Sequence, residues 1–299
     1  MSFIDKYDSG KWRIESVLGE GAFGKVYKIF KEEANGIKTY AALKVVPVQS
    51  DSEIRQLISE GLTDSELRSC INSKVENITK PLELAMILKG LPNIAAYDDF
   101  QVIQNPGDPG ATVLVRMELL ENPLSSTELK LPESEIIKIG IDISRALESM
   151  ATHNVVHRNV KPFNIMQSKS GDYKLARFYI SRIIDSSSTN LSIMGTLFFM
   201  APEVYQARSY TASVDIYSLG LSLHWLANNH KVPFLPDRPT ASDRENALYT
   251  RMRGKPLPPP AAASPELSKI ILKACAYDPK DRFSSPTEMR EALEEIYKA

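Results

Sequence analysis

Residues 19–30 read GEGAFGKVYKIF, and this stretch decides between two classes of fold. The first six residues match the pattern G-x-G-x-x-G, which occurs in dinucleotide-binding turns and in glycine-rich loops that cover phosphates. A dinucleotide-binding turn needs a helix directly after the third glycine. Residues 25–30 are instead rich in β-branched and aromatic side chains, which favour a strand. We therefore predict a strand–turn–strand hairpin that brings Gly19, Gly21 and Gly24 close to a bound phosphate.

A single lysine interrupts the next apolar run. Residues 41–45 read AALKV, a strand pattern with Lys44 among apolar neighbours. Such a lysine is either solvated at the edge of a sheet or placed to contact the phosphates of a ligand. Because the glycine hairpin precedes it, we favour the phosphate-contacting role for Lys44.

Strand patterns fill roughly the first 120 residues. Predicted strands lie at residues 14–18, 26–30, 40–46, 94–102 and 112–119. Helical segments interrupt them: a short one covers residues 54–58, and a longer one begins after Thr63. Thr63 and Glu66 form a capping-box pattern, and the longer helix runs from there toward Leu88.

Helical periodicity dominates from about residue 125 onward. Apolar residues at positions 136, 139, 143, 147 and 150 follow i, i+3, i+4 spacing. Ser264 and Ser285 each precede a proline, a pattern typical of an N-cap followed by proline at the first helical position. Residues 256–264 are predicted to form an irregular loop and not a ligand motif. The sequence thus predicts an α+β fold of two lobes: a small antiparallel β-rich lobe at residues 1–120 and a larger, mostly helical lobe at residues 121–299.

The composition excludes several classes of protein. With 36 Lys+Arg against 37 Asp+Glu, the net charge of −1 argues against a strongly basic nucleic-acid binder, so no nucleic-acid partner is expected. A chain with 43% hydrophobic and 24% charged residues is ordinary for a globular protein. Cys70 and Cys275 are too few for a disulfide framework, which favours reduced thiols and a cytoplasmic location. We expect neither a signal peptide nor a membrane-spanning segment within this chain, because no long uncharged apolar run occurs.

Residues 157–164 read HRNVKPFN, and they match the catalytic-loop pattern H-R-D-x-K-P-x-N at every signature position except the third. The triplet APE at residues 201–203 follows Gly-Thr at 195–196, and the stretch SVDIYSLG begins at Ser213. In these motifs the chain resembles the eukaryotic-type Ser/Thr protein kinases over nearly its whole length. The resemblance implies a bilobal protein-kinase-like fold in which Arg282 pairs with Glu203.

The same resemblance implies a nucleotide site. Met117 would be the gatekeeper, and Glu118 to Leu120 would form the hinge against which adenine docks. Val26, Ala42 and Met166 match adenine-contacting positions, although any packed protein would keep them apolar. The implied cofactor-binding residues are Gly19, Gly21, Gly24, Val26, Ala42, Lys44, Met117, Glu118, Leu120, Asn164, Met166 and Arg177. The implied catalytic-loop residues are Asn159 and Lys161.

Two departures from the family pattern fall on the chemistry. Asn159 occupies the place of the aspartate that accepts the substrate hydroxyl proton. A neutral amide cannot take that proton, and losing a positioned base typically costs about 10²–10⁴-fold in rate. The metal-binding D-F-G triplet corresponds to Arg177-Phe178-Tyr179. Arginine stays charged and has no acceptor atom, so it cannot ligate a metal, and Tyr179 replaces the glycine that lets the triplet change conformation.

A third departure concerns the partner of Lys44. In the family, the helix glutamate lies seven residues before the leucine of the L-K-x-x-x-N-I pattern. That leucine corresponds to Leu88 here, so the glutamate position corresponds to Pro81. Glu83 could replace it only with a shifted register, because two residues turn the side chain about 200° around a helix. We therefore predict that Lys44 lacks its usual glutamate.

These changes share one electrostatic direction. The lysine, glutamate and two aspartates of the family carry a net charge of −2, whereas Lys44, Pro81, Asn159 and Arg177 carry +2. Such a site attracts anions and repels metal, so we expect no magnesium site. The counter-charge is either the phosphates of a metal-free nucleotide, a carboxylate such as Glu83, or an acidic group of a partner; alternatively, Arg177 turns into solvent.

The sequence therefore predicts a pseudokinase: a regulatory or protein-interaction module in signalling that binds ATP, if at all, without magnesium. An active kinase is one candidate among its protein partners. One alternative is an active Ser/Thr kinase that transfers the ATP γ-phosphate with displaced residues, such as Glu83 and Asp172. Another is a structural scaffold with an occluded nucleotide site. Serines and threonines at residues 186–196 are either a flexible polar loop, which we favour, or phosphate acceptors that Arg158 could bind.

Overall fold

The computed structural model describes residues 7, 11–21, 24–48, 51–104, 110–126, 130–177 and 197–298. The chain divides into two compact units. The first draws on Met1–Gly90 and Ala95–Leu120, and the second on Leu91–Ile94, Glu121–Arg177 and Ile184–Ala299. The first unit is built on a β-sheet and the second on helices, so the predicted α+β class is confirmed.

An antiparallel sheet of five strands forms the first unit, in the order β1-β2-β3-β5-β4. Its strands are β1 (Arg13–Gly21), β2 (Gly24–Glu32), β3 (Lys38–Pro47), β4 (Tyr97–Gln104) and β5 (Ala111–Met117). All five strand predictions are confirmed, but β4 begins later than expected. Ile94 instead forms a bridge with Leu175, and both residues belong to the second unit.

One face of this sheet is covered by aromatic and aliphatic side chains. The buried cluster comprises Tyr7, Trp12, Ile29, Ala41, Leu43 and Leu114. Because side chains alternate along a strand, every second residue of β2, β3 and β5 points to this cluster and the others point to the opposite face.

Two helices, α1 (Asp51–Ser59) and α2 (Asp64–Ile87), follow β3. The capping box predicted for α2 is confirmed: the Glu66 amide donates to Thr63 Oγ1 over 3.4 Å, and the Thr63 amide donates to Glu66 Oε2 over 2.9 Å. Pro81 lies inside α2, which continues past it. A proline there leaves one carbonyl of the preceding turn without its helical donor.

The second unit contains α3 (Glu133–Ala151), β6 (Ile165–Gln167), β7 (Tyr173–Leu175), α4 (Pro202–Tyr205), α5 (Ser213–Ala227), α6 (Ala241–Met252), α7 (Pro265–Ala274) and α8 (Pro286–Lys298). Helix α5 is buried from Val214 to Ala227 and forms the centre of this unit. A Cβ atom on Gly220 would lie 2.7 Å from the Ala274 Cβ and 2.8 Å from the Cys275 Sγ, so only glycine allows α7 to pack so close.

Helix starts predicted in the second half are confirmed. Ser264 Oγ accepts from the Leu267 amide over 3.1 Å, and Ser285 Oγ accepts from the Glu288 amide over 3.2 Å. In the part of the chain that the structure describes, no helix combines the length and apolar character that crossing a membrane requires.

Candidate functional site

The sheet of the first unit brings four predicted cofactor-binding residues onto one face. Val26 on β2 lies opposite Lys44 on β3, and Ala42 lies opposite Met117 on β5. Directly opposed residues in antiparallel strands share a face, and so do residues two apart on one strand. Val26, Lys44, Ala42 and Met117 therefore share the face opposite Tyr7 and its cluster.

Lys44 occupies an interior strand of the sheet. Strand β3 is paired with β2 on one side and with β5 on the other, and Lys44 is only 9% exposed. The alternative of a solvated lysine at a sheet edge is therefore wrong. A lysine this deeply buried needs hydrogen-bond or charge partners, because desolvating an ammonium is costly.

Gly24 is required by the fold of the hairpin. Gly21 and Gly24 are paired across β1 and β2, and the φ of Gly24 is +99°. A Cβ on Gly24 would lie 1.8 Å from the Val45 carbonyl oxygen. Gly19 and Gly21 differ, because a Cβ on either would meet no described atom within 4 Å. Their missing side chains leave bare, exposed backbone, as a phosphate-covering loop requires.

The predicted hinge residues follow β5 directly. The Glu118 amide donates to the Ala96 carbonyl over 2.9 Å, and the Ala96 amide donates back to Glu118 Oε2 over 3.2 Å. Met117, Glu118 and Leu120 are all half-buried. These reciprocal hydrogen bonds hold the hinge backbone against the segment before β4.

Glu83 lies on the exposed side of α2, where it interacts electrostatically with Lys80. The buried side of the helix instead presents residues such as Thr79 and Leu82. The position that the family pattern gives to glutamate is the half-buried Pro81. Nothing in this arrangement supports Glu83 as a replacement for the family glutamate.

In the second unit, a buried aspartate holds the loop that contains Asn159. Asp215 on α5 accepts from the His157 amide and from the Arg158 amide, each over 2.7 Å. Arg158 has a φ of +65°, an unusual conformation that these two hydrogen bonds stabilise. Burial raises the pKa of Asp215 to about 6 despite both donors. We did not assign this role from sequence; a lone aspartate inside the apolar stretch SVDIYSLG is the signal for it.

The imidazole of His157 is buried and neutral. Burial lowers its pKa to about 4. Its Nδ1 accepts from the Asn159 amide over 3.3 Å, so its Nε2 carries the hydrogen, which is donated to the Ala176 carbonyl over 3.2 Å. His157 thereby connects the loop of Asn159 with the strand end that leads to Arg177.

Asn159 and Asn164 are both buried and directly connected. Asn164 Nδ2 donates to the Asn159 carbonyl over 2.7 Å, and the Ala176 amide donates to the Asn164 carbonyl over 2.9 Å. The side-chain oxygen Oδ1 of Asn159 is buried and has no hydrogen-bond partner among the described residues. Leaving such an acceptor unsatisfied costs about 1–3 kcal/mol. A ligand that donates a hydrogen bond would satisfy it.

Two cations accompany this buried acceptor. Lys161 is partly buried, and burial followed by the charge of Arg177 lowers its pKa to about 8. Arg177 is exposed and has a φ of +64°. Its side chain therefore reaches solvent, as one alternative predicted, yet its charge still acts on Lys161.

The residues present do not fit magnesium. Mg²⁺ prefers carboxylate ligands in octahedral geometry, whereas the position of the metal-binding aspartate is Arg177. Among the described residues, no group of three or more His, Cys, Asp or Glu side chains is arranged to hold a metal ion. Asp172, considered above as a displaced ligand, is exposed in the β6–β7 turn and accepts a hydrogen bond from Ser170.

Some residues singled out from the sequence fall outside the described ranges, whereas Arg158 and Met166 can be placed. Phe178, Tyr179 and the serines and threonines at residues 186–196 lie outside the described residues. The Arg158 guanidinium lies over the Tyr210 ring, 5.4 Å from its centroid. Met166 lies in β6 opposite Lys174.

The predicted ion pair of Glu203 and Arg282 is confirmed. Arg282 Nη1 and Nη2 donate to the two oxygens of Glu203 over 2.7 and 2.9 Å. The Arg282 side chain is fully buried, and its Nε donates to the Ala276 carbonyl over 2.9 Å. This bidentate pair fixes α4 to the segment before α8.

Comparison with known proteins gives a consistent result. A sequence model described as "Protein kinase domain" matches residues 12–297. Serine/threonine-protein kinase PknB of Mycolicibacterium smegmatis is 30% identical over 217 residues, which are 69% of this chain and 33% of that protein. Serine/threonine-protein kinase 36 of Pongo abelii is 26% identical over 279 residues, which are 92% of this chain and 19% of that protein. The chain thus spans a third or less of the length of these relatives.

Proposed function

The chain belongs to the protein kinase domain family and has its fold; from that premise we propose that it is a pseudokinase, a regulatory or protein-interaction module that transfers phosphate poorly or not at all. One observation carries this proposal: in the second unit, Asn159 and Arg177 stand where the family has its catalytic and metal-binding aspartates. Curated relatives are named as serine/threonine kinases, and the proposal is that this chain kept their framework without their reaction.

The loss of the base is supported by the surroundings of Asn159. Its amide side chain is buried in a loop held by Asp215 and His157, so another base cannot easily take its place. The ring of His157 is directed at Ala176 and stays neutral at pH 7. Lys161 is mostly protonated at pH 7, because its pKa is about 8. A protonated amine cannot accept a proton from a substrate hydroxyl.

Loss of the metal is supported by charge. Burial and, to a smaller extent, the charge of Arg177 lower the pKa of Lys161, so these two cations repel each other. A divalent cation added beside them would be opposed by both charges. An anion would be attracted by both, so we propose that any nucleotide binds without magnesium.

A phosphotransfer assay tests the proposal directly. Radiolabelled ATP with Mg²⁺ or Mn²⁺ is incubated with the wild type and with the triple variant Asn159→Asp, Arg177→Asp, Tyr179→Gly. We expect wild-type turnover far below the ~1–100 s⁻¹ usual for kinases, and a gain in the triple variant because the loop framework is intact. Stoichiometric autophosphorylation by the wild type would overturn the proposal in favour of an active kinase with displaced residues.

The nucleotide part of the proposal has its own test. The melting temperature is measured with ATP in excess EDTA and with ATP in excess Mg²⁺, for the wild type and for Arg177→Asp. Ligand at 100 times its Kd adds about 2.7 kcal/mol to folding stability. We expect wild-type stabilisation to be greater in EDTA, and the variant to reverse this order. Stabilisation that depends on Mg²⁺ in the wild type contradicts the charge argument, and no stabilisation in either condition favours an occluded scaffold.

A further inference from the structure

The loop between α6 and α7 contains an unusual concentration of proline. Residues 255–260 read KPLPPP, so each of them is a proline or directly precedes one. Proline fixes φ near −65°, and a residue before proline is driven to extended backbone. Both restrictions together define the polyproline II conformation. In agreement, residues 255–260 belong to no helix, strand or turn.

Burial along this segment follows the threefold repeat of a polyproline II helix. Residues three apart share a face in that conformation. Leu257 is half-buried and Pro260 is buried, so their shared face packs on the protein. The other two faces are exposed: Pro256 and Pro259 share one, and Lys255 and Pro258 share the other.

Hydrogen bonds fix the segment in this orientation. His224 on α5 donates from Nε2 to the Pro258 carbonyl over 2.9 Å. Beyond the prolines, the Ala261 amide donates to Asn228 Oδ1 over 3.1 Å, and the Ala262 amide donates to the Ala227 carbonyl over 2.9 Å. The segment is thus preorganised, which lowers the entropy that a binding partner would have to offset.

We propose that residues 255–259 are a docking site for an SH3-type domain of a partner protein, which departs from our prediction from sequence that residues 256–264 contain no ligand motif. Grooves of this kind are lined by aromatic rings and bind P-x-x-P segments in the polyproline II conformation. Here the dipeptides Lys255-Pro256 and Pro258-Pro259 are exposed and would contact the groove, while Leu257 between them packs on the protein. Exposed cations at Arg253 and Lys255 flank one end, so the fitting groove has an acidic rim.

The chain contains its own negative control. Pro236 and Pro239 have the same P-x-x-P spacing, but the backbone bends at residues 237–238 between them. A bent segment does not present prolines on one threefold face. We therefore expect binding at residues 255–259 and none at Pro236–Pro239, although the two motifs have equal spacing in sequence.

The test uses the intact chain as a labelled probe on an array of purified SH3 and WW domains, followed by calorimetry with the domains that bind. We expect at least one SH3 domain with an acidic groove rim to bind the wild type. The double variant Pro256→Ala, Pro259→Ala should bind at least tenfold more weakly, a loss of about 1.4 kcal/mol. The double variant Pro236→Ala, Pro239→Ala should bind like the wild type. Melting temperatures establish that each variant is folded.

A second variant keeps the test independent of proline effects on folding. Lys255→Glu changes an exposed charge without altering the prolines, and it should weaken binding with a dependence on salt. Three outcomes would overturn the proposal: no SH3 domain binds the intact chain although one binds the free peptide of residues 251–262; only WW domains bind; or the Pro256, Pro259 variant binds as well as the wild type. None of these outcomes bears on phosphotransfer, so this inference stands or fails apart from the pseudokinase proposal.

Discussion

Lys161 allows a direct test of the electrostatics of the second unit, because its charge can be followed without knowledge of any ligand. Burial and the charge of Arg177 lower its pKa to about 8, from 10.5 for an ordinary lysine. About nine-tenths of Lys161 is then charged at pH 7 and about one-tenth at pH 9. The shift corresponds to roughly 3 kcal/mol of unfavourable charging free energy.

The perturbation is Arg177→Gln, which removes the neighbouring charge and leaves the burial unchanged. We expect the pKa of Lys161 to rise in this variant, since only one of its two causes remains. Arg238→Gln, at an exposed arginine elsewhere, is the matched control and should leave Lys161 unchanged. The measurement is an NMR titration of ¹³C-labelled lysine side chains, with the Lys161 signal assigned through Lys161→Met.

Anion binding adds a second readout. A bound anion favours the charged form of Lys161 and so returns its pKa toward the ordinary value. At pH 8 the free site is about half protonated, so binding should take up close to half a proton, and about one tenth at pH 7. Calorimetry of tripolyphosphate binding in buffers of different ionisation enthalpy measures this uptake. A Lys161 midpoint above pH 10, or one that Arg177→Gln does not move, would refute the reasoning.

Three further predictions concern stability. Glu203→Gln leaves the buried Arg282 without its counter-charge and should lower the free energy of unfolding by about 3–5 kcal/mol in urea titrations; a loss below about 1 kcal/mol would contradict the burial of the pair. Gly24→Ala forces a Cβ to 1.8 Å from a strand β3 carbonyl oxygen at positive φ, so it should cost at least about 2 kcal/mol, whereas Gly21→Ala should cost far less in the same assay. For His157, the folded pKa of about 4 lies below that of the unfolded chain, so its contribution is lost as pH falls from about 6.5 to 4. The stability advantage of the wild type over His157→Gln should shrink across that window by about 1.4 kcal/mol per pH unit, and an advantage independent of pH contradicts the assigned burial.

The sequence predicted those features that depend on short-range patterns. The capping box of Thr63 and Glu66, the helix starts after Ser264 and Ser285, and the strand character of residues 25–30 each arise from neighbouring residues. Their physical causes, which are capping hydrogen bonds and β-propensity, act within one or two turns of chain. Local patterns could not place the start of β4, because Ile94 is withdrawn from the sheet by a bridge to Leu175, 81 positions away in sequence.

The candidate site depends on longer-range order. Val26, Ala42, Lys44 and Met117 share a sheet face only because β3 pairs with β5 and not with β4, which follows it in sequence. Asp215 reaches the His157 amide across 58 positions, and its role emerges only when α5 is placed under the loop. The pKa of Lys161 likewise depends on its burial and on the charge of Arg177, and only the fold brings about both.

Two features of the second unit support the proposal that the chain binds an anion. Asn159 Oδ1 is buried without a described partner, at a cost of about 1–3 kcal/mol, and charging Lys161 costs roughly 3 kcal/mol more. The neighbouring side chains of Asp215, His157 and Asn164 each make hydrogen bonds. A leucine and a methionine at these two positions would remove both costs, and a protein whose only task is to hold a shape would gain stability from them. The buried acceptor of Asn159 and the positive charge of Lys161 therefore support the proposed ligand class, which is an anion that also donates a hydrogen bond.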